Sequence, residues 1–316
     1  MNRRKFLVTG AAALSAGCVI GGQQCGGKAC PKGAACGGKG GRILFGACRP
    51  LSDTALMKSI GYDFVERSFG EMFVPDKGEE AWKHQKEAIV SAALPLRSCN
   101  GFLPGRFRVT GENADWAPIL EYAEVGCRRA DEVGLKTMVF GSGGARNVPV
   151  TYHAGGKIDY PKGFDVERGR DQYAEFCAVL AKRIAGCRVT VVIEPLRPNE
   201  TDIIHYVWQG LQIVEEVGSP RIQQLADIFH MMMGREPAES IVKAGDRLRH
   251  CHIADWKTRL FPGQDPAQTH RLKPYFDALK EIGYSGGVSC ECGWGEKGDL
   301  AKNLETALKT MKGLAS

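Results

Sequence analysis

From residue 42 onward one pattern recurs. A short apolar run closes on Gly, Pro or a polar residue, and an amphipathic stretch follows. The runs are RILFGAC (42–48), DFVERSF (63–69), PLRSCNG (95–101), KTMVFGS (136–142), VTVVIEP (189–195), QQLADIF (223–229), RHCHIAD (249–255) and GVSCECG (287–293). The stretches at 120–134, 171–186, 236–245, 274–283 and 303–313 place apolar residues three to four apart, the period of a helix with one buried stripe. Gly134, Gly186, Gly245 and Gly283 stand where four of these helices should end. Strands that alternate with helices pair in parallel, and eight such units close into a (β/α)8 TIM barrel. The competing architecture, an open doubly wound sheet, usually carries a Gly-rich phosphate turn after its first strand. Here that turn reads CRPLSD. GSGGAR (141–146) lacks the Lys-Ser/Thr of a phosphate loop and reads as a connecting loop.

The segment before the barrel has a different composition. MNRRKFLVTGAAALSAGC sets twin arginines ahead of a short run of small apolar residues, the form of a twin-arginine export signal. Residues 1–18 are therefore expected to be the signal, 19–41 a Gly-rich tether and 42–316 the barrel. Cleavage could follow the Ala-rich run. Alternatively, Leu14-Ser15-Ala16-Gly17-Cys18 resembles a lipoprotein box and would put a lipid on Cys18, although Ser15 departs from that pattern. Either route implies a periplasmic or membrane-anchored protein. Cys25, Cys30 and Cys36 do not have the spacing of a zinc site, and the cysteines of the barrel sit in apolar segments that suit buried thiols. Half of the +6 formal charge lies on Arg3, Arg4 and Lys5. With no basic run interleaved with aromatics, nucleic acid is not an expected partner.

Four of the strands end on side chains that a buried parallel strand should not carry. VTVVIEP brings Glu194, QQLADIF brings Asp227, RHCHIAD brings His252 and GVSCECG brings Glu291. In a closed barrel the C-terminal strand ends share one mouth. A carboxylate there must be solvated or paired. Three carboxylates and one imidazole form an oxygen-rich set suited to one divalent ion such as Mn²⁺, Mg²⁺ or Co²⁺, with Zn²⁺ also accommodated. Strand alternation places His250 on the same face as His252, one layer deeper, and reads it as a hydrogen-bonded interior histidine. Glu66, Asn100, Asp255 and Trp294 are further residues that could line the mouth.

IEPL, ADIFH, HCHIAD and CECGW together resemble the sugar-phosphate isomerase/epimerase superfamily of xylose isomerase-like barrels, over roughly residues 42–312. That group includes ketose 3-epimerases, hydroxypyruvate isomerase and inosose dehydratase. The resemblance implies that Glu194, Asp227, His252 and Glu291 hold the metal, and that Glu194 and Glu291 also form the acid–base pair. It implies substrate contacts from Glu200 and His230. The arginine expected six residues after the seventh-strand histidine is replaced by Thr258, with Arg259 one step later. The superfamily's abasic-site endonuclease adds histidines on early strands, and DFVERSF and PLRSCNG have none.

The implied chemistry is metal-dependent isomerisation or epimerisation of a keto-sugar or related carbohydrate. A proton would pass through an enediolate between two glutamates. Three other readings share the architecture. A lyase or dehydratase would expel a leaving group from an oxidised sugar or glycoside. A glycosidase would use two glutamates as acid and nucleophile, but Asp227 and His252 between them in strand order argue for a metal. A non-catalytic sugar-binding lipoprotein would keep the barrel alone. A homo-oligomer is compatible with the chain, and the sequence does not specify the sugar.

Overall fold

Every apolar run becomes a strand where the pattern places one. The structure, a computed structural model, describes residues 41–154, 158–295 and 299–316. In chain order the strands are β1 (Leu44–Cys48), β2 (Phe64–Ser68), β3 (Leu96–Asn100), β4 (Thr137–Phe140), β5 (Thr151–Tyr152), β6 (Ile158–Asp159), β7 (Thr190–Ile193), β8 (Ile222–Asp227), β9 (Leu248–Ile253) and β10 (Gly287–Cys290). Eight of them close a parallel barrel in the order β1-β10-β9-β8-β7-β4-β3-β2. The short antiparallel hairpin β5–β6 is an insertion between the fourth and fifth barrel strands. The export signal, the tether, Cys18, Cys25, Cys30 and Cys36 lie outside the described residues.

Helices surround the barrel, among them Trp116–Glu132, Val166–Arg183, Lys273–Glu281 and Leu300–Ala315. Gly134, Gly245 and Gly283 adopt positive φ beyond their helices, a conformation glycine enters at little cost. Gly186 does not: the preceding helix already ends at Arg183, with Ile184 at its C-cap. Among the described residues no helix is long and apolar enough to cross a membrane.

Alternation along the strands divides the interior in two. Ala47, Val65, Cys99, Met138, Val191, Ala226, Cys251 and Val288 belong to the large apolar layer between barrel and helices. Val139, Val192 and Leu225 form a separate small cluster inside the barrel. Much of the remaining inner surface is polar, with Glu66, Ser98, His250, His252 and Ser289 at most 1% exposed. Phe64 also turns inward, and an added Cβ on Gly46 would strike its ring at 2.2 Å. The eight cysteines of the barrel are free thiols, five of them buried. As alternation requires, Cys290 faces outward, its Sγ 3.6 Å from the sulfur of Met311.

Candidate metal centre at the barrel mouth

The four strand-end side chains converge. Glu194, Asp227, His252 and Glu291 each offer one ligand atom, and these atoms all lie within 4.8 Å of one another. Register explains the meeting. Asp227 on β8 and Ser289 on β10 both pair with His252 on β9, so Asp227 flanks the imidazole and Glu291 follows two residues beyond Ser289. Glu194 directly follows β7, the neighbour of β8 on its other side.

Each side chain is held by a separate device. Asp227 caps the helix Ile228–Met233, its Oδ1 accepting from the backbone N–H groups of Phe229 (2.8 Å) and His230 (3.4 Å). That leaves Oδ2 for the cluster. Glu291 accepts a 2.7 Å hydrogen bond at Oε1 from Asn100 on β3. His252 Nδ1 lies 2.8 Å from Glu194 Oε1 and 3.5 Å from Glu291 Oε2. The two glutamates thus flank one imidazole nitrogen. Glu194 is fixed from behind by GSGGAR. An added Cβ on Gly141 would lie 1.9 Å from Glu194 Oε2, and one on Gly143 would lie 1.9 Å from the Glu200 carbonyl oxygen. Arg146, fully buried, donates to the carbonyls of Glu194 (2.6 Å) and Phe140 (3.1 Å). The loop is no phosphate cradle; it is the wall against which Glu194 rests.

Crowding shows in the acidities. Burial, reinforced by the charges of Glu291 and Asp227, pushes Glu194 up to about 7. Burial pushes Asp227 up to about 6, with Glu291 adding to it. Burial would lower His252, but Glu66, Glu291 and Glu194 outweigh it and hold the imidazole well above its usual range. Glu194 and Asp227 thus hold their protons above the usual carboxylate range, and a divalent cation would supply the positive charge that favours their ionised forms. The donor set fits a hard or borderline cation.

Next to the cluster stands a second group. Arg259 Nη1 donates to Glu200 Oε1 at 2.8 Å, and Arg197 Nε donates to the same oxygen at 2.7 Å. Both guanidiniums also lie over the ring of Phe229, at 4.8 and 5.2 Å from its centroid. Burial opposes ionisation of Glu200, yet His230, Arg259 and Arg197 hold it below the usual carboxylate range. Arg259 has φ +55°, a left-handed backbone for a bulky residue, while Thr258 in the expected arginine position bonds Asp255 instead. His230 is buried, and its Nδ1 accepts from the Arg197 N–H at 3.3 Å. Its Nε2 therefore carries the proton. That nitrogen has no hydrogen-bond partner, and lies 3.6 Å from Asp227 Oδ2 and 3.7 Å from Glu200 Oε2. A buried orphan donor beside the cluster is a ready contact for a substrate oxygen.

The structure therefore brings together Glu194, Asp227, His252, Glu291, Glu200, His230 and Arg259. Asp255 serves its own turn instead, accepting from the N–H groups of Lys257 and Thr258. Trp294 packs flat on Phe261 at 5.8 Å. Glu66, Arg146 and Arg197 carry more of the site than sequence reasoning assigned them. For Glu66 the signal was available: two inward imidazoles on β9 need an acceptor. For Arg146 and Arg197, loop arginines with no pattern, there was none.

The chain is similar to the D-psicose 3-epimerase of Enterocloster bolteae, 29% identical over 135 residues, which is 42% of this chain and 44% of that protein. It is similar to the L-ribulose 3-epimerase of Methylomonas sp., 29% identical over 169 residues, 52% of this chain and 56% of that one. The match thus spans about half the length of these curated relatives. Among solved structures, D-psicose 3-epimerase with D-tagatose from Clostridium cellulolyticum superposes with a TM-score of 0.69 at 17% identity, covering 87% of this chain and 100% of that one. The 3-keto-D-glucoside 4-epimerase from E. coli gives 0.68 at 21%, covering 86% and 100%. At such identities these superpositions speak for the fold. The family model described as xylose isomerase-like TIM barrel matches residues 54–314, so the chain belongs to that family.

Proposed function

We propose that the protein is a divalent-metal-dependent isomerase or epimerase of a keto-sugar or related carbohydrate, with proton transfer between Glu194 and Glu291. The observation that carries this reading is the pair of carboxylates flanking His252 Nδ1 within a four-residue donor set. The similarity to ketose 3-epimerases supports it.

Glu194, Asp227, His252 and Glu291 would hold the cation. When bound, it supplies Lewis-acid polarisation of a carbonyl and its neighbouring hydroxyl. The chain's own residues do the rest. Glu194, 4% exposed and backed by Gly141, sits in a dry setting that raises its proton affinity, as suits a general base. The side chain of Glu291 is 23% exposed and tethered by Asn100, a wetter setting for the group that returns a proton on the other side. His230, as an Nε2–H donor, and Glu200, as an acceptor steadied by two arginines, would fix the sugar hydroxyls. Glu66, Ser98 and the apolar trio of Val139, Val192 and Leu225 form a closed floor that keeps bulk water from the reacting carbon.

The test is isotope exchange. Incubation of the metal-loaded protein in D₂O with a panel of keto-sugars and oxidised glycosides should place deuterium at one carbon of the accepted substrate. Glu194→Gln should abolish that exchange. A dehydrated or cleaved product would move the assignment to a lyase on the same site, and exchange that persists in Glu194→Gln would remove Glu194 from the chemistry.

A further inference from the structure

Beneath the metal centre lies a second constellation that the proposed proton transfer does not use. Glu66 on β2 is completely buried. Its two carboxylate oxygens take one imidazole each: Oε2 is 2.9 Å from His250 Nε2, and Oε1 is 2.9 Å from His252 Nε2. β2 and β9 are not neighbours; β1 and β10 stand between them. Glu66 therefore reaches across the barrel. The two histidines meet edge to face, 5.1 Å between ring centroids.

We propose that Glu66 is a positioning residue for the metal centre, a cross-barrel carboxylate that fixes both the tautomer and the orientation of His252. The inference rests on the reading that the four-residue cluster holds a cation. An ionised carboxylate only accepts hydrogen bonds. His252 must then carry its proton on Nε2, which leaves Nδ1 as the nitrogen turned toward Glu194, Asp227 and Glu291. His250 occupies the other oxygen, so the carboxylate cannot rotate away, and its own Nε2–H is satisfied in the same way. Carboxylate partners of this kind orient a ligating imidazole and raise its basicity, and losing one typically costs ~10–100-fold in metal affinity. Glu66, His250 and His252 could instead be read as a second cation site. The contacts argue otherwise. Each imidazole sits on a different oxygen at hydrogen-bond length, and no member is more than 1% exposed.

The experiment titrates Co²⁺ into metal-free wild type, Glu66→Gln, Glu66→Leu and His252→Ala, by absorption and calorimetry. Melting temperatures of the metal-free forms are measured alongside. The Nε2–H proton resonance of His252 is followed in the Mg²⁺-loaded protein. Expected are one Co²⁺ per wild-type chain, an affinity ~10–100-fold weaker in both Glu66 variants, and an upfield shift of that resonance when the carboxylate is gone. The leucine variant removes both acceptors, so no amide orientation can mask the loss; should it fail to fold, the glutamine variant decides. Two Co²⁺ per wild-type chain would overturn the proposal. So would Glu66 variants that melt earlier yet bind Co²⁺ like wild type with the resonance unmoved. If His252→Ala binds as wild type does, the cation reading itself falls, separately from the role of Glu66.

Discussion

Metal loading should be strongly pH-linked, and the structure sets the size of the effect. Glu194 is raised to about 7 and Asp227 to about 6, both chiefly by burial. A carboxyl must be deprotonated to ligate. At pH 6, Glu194 is ionised in roughly one molecule in ten and Asp227 in about half; at pH 8 both are nearly fully ionised. The product is ~20-fold in apparent affinity, ~1.8 kcal/mol, gained between pH 6 and pH 8. His252, also raised, must shed a proton and steepens the dependence. The assay is calorimetric titration with Mn²⁺ at pH 6, 7 and 8, in two buffers of different ionisation enthalpy so that released protons are counted. An affinity flat across that range with no proton release would refute the argument that crowded carboxyls and cation compete for the same site.

Four further outcomes follow from the same geometry. The metal-free protein should melt several degrees lower at pH 8 than at pH 6. The folded pKa values of Glu194, Asp227 and His252 are raised, so their stabilisation is present at low pH and lost as pH rises through those values; saturating Mn²⁺ should abolish that difference. Gly141→Ala places a Cβ 1.9 Å from Glu194 Oε2 and should cut kcat/KM on the accepted substrate by ~100-fold while the melting temperature stays within a few degrees. Glu200→Gln removes the negative charge that Arg197 and Arg259 share at Oε1 and should raise KM more than it lowers kcat, measured by steady-state kinetics. Arg129, 2% exposed, donates to the carbonyls of Phe73, Val74 and Lys77, so Arg129→Ala should cost about 3 kcal/mol in urea unfolding without altering metal affinity.

The barrel and four of its mouth residues are legible in the sequence for one physical reason. A strand buried on both faces is a near-continuous apolar run. A Glu, Asp or His closing such a run breaks that rule, and does so at the end where strands converge. Glu194, Asp227, His252 and Glu291 stand out on this ground. Glu66 is harder to pick out, because it lies inside DFVERSF rather than closing an apolar run, and its partners lie 184 and 186 residues away across the barrel. Spacing reports neighbours along the chain and on adjacent strands, not pairs that face each other through an interior. Arg146 is hidden differently: as an arginine after a glycine cluster it resembles a solvated loop residue, and only the closed fold shows it gripping the carbonyls at the ends of β4 and β7. Arg259 was displaced by one position from the family pattern, and its left-handed backbone places its side chain on Glu200.

The central claim is that one cation is shared by Glu194, Asp227, His252 and Glu291, and anomalous diffraction from Mn²⁺-loaded crystals tests it most directly. The account predicts a single strong peak bounded by all four side chains, at ~2.0–2.6 Å from the nearest atom of each. No peak at the mouth under saturating Mn²⁺, or a peak seated instead between Glu66 and His250, would contradict it.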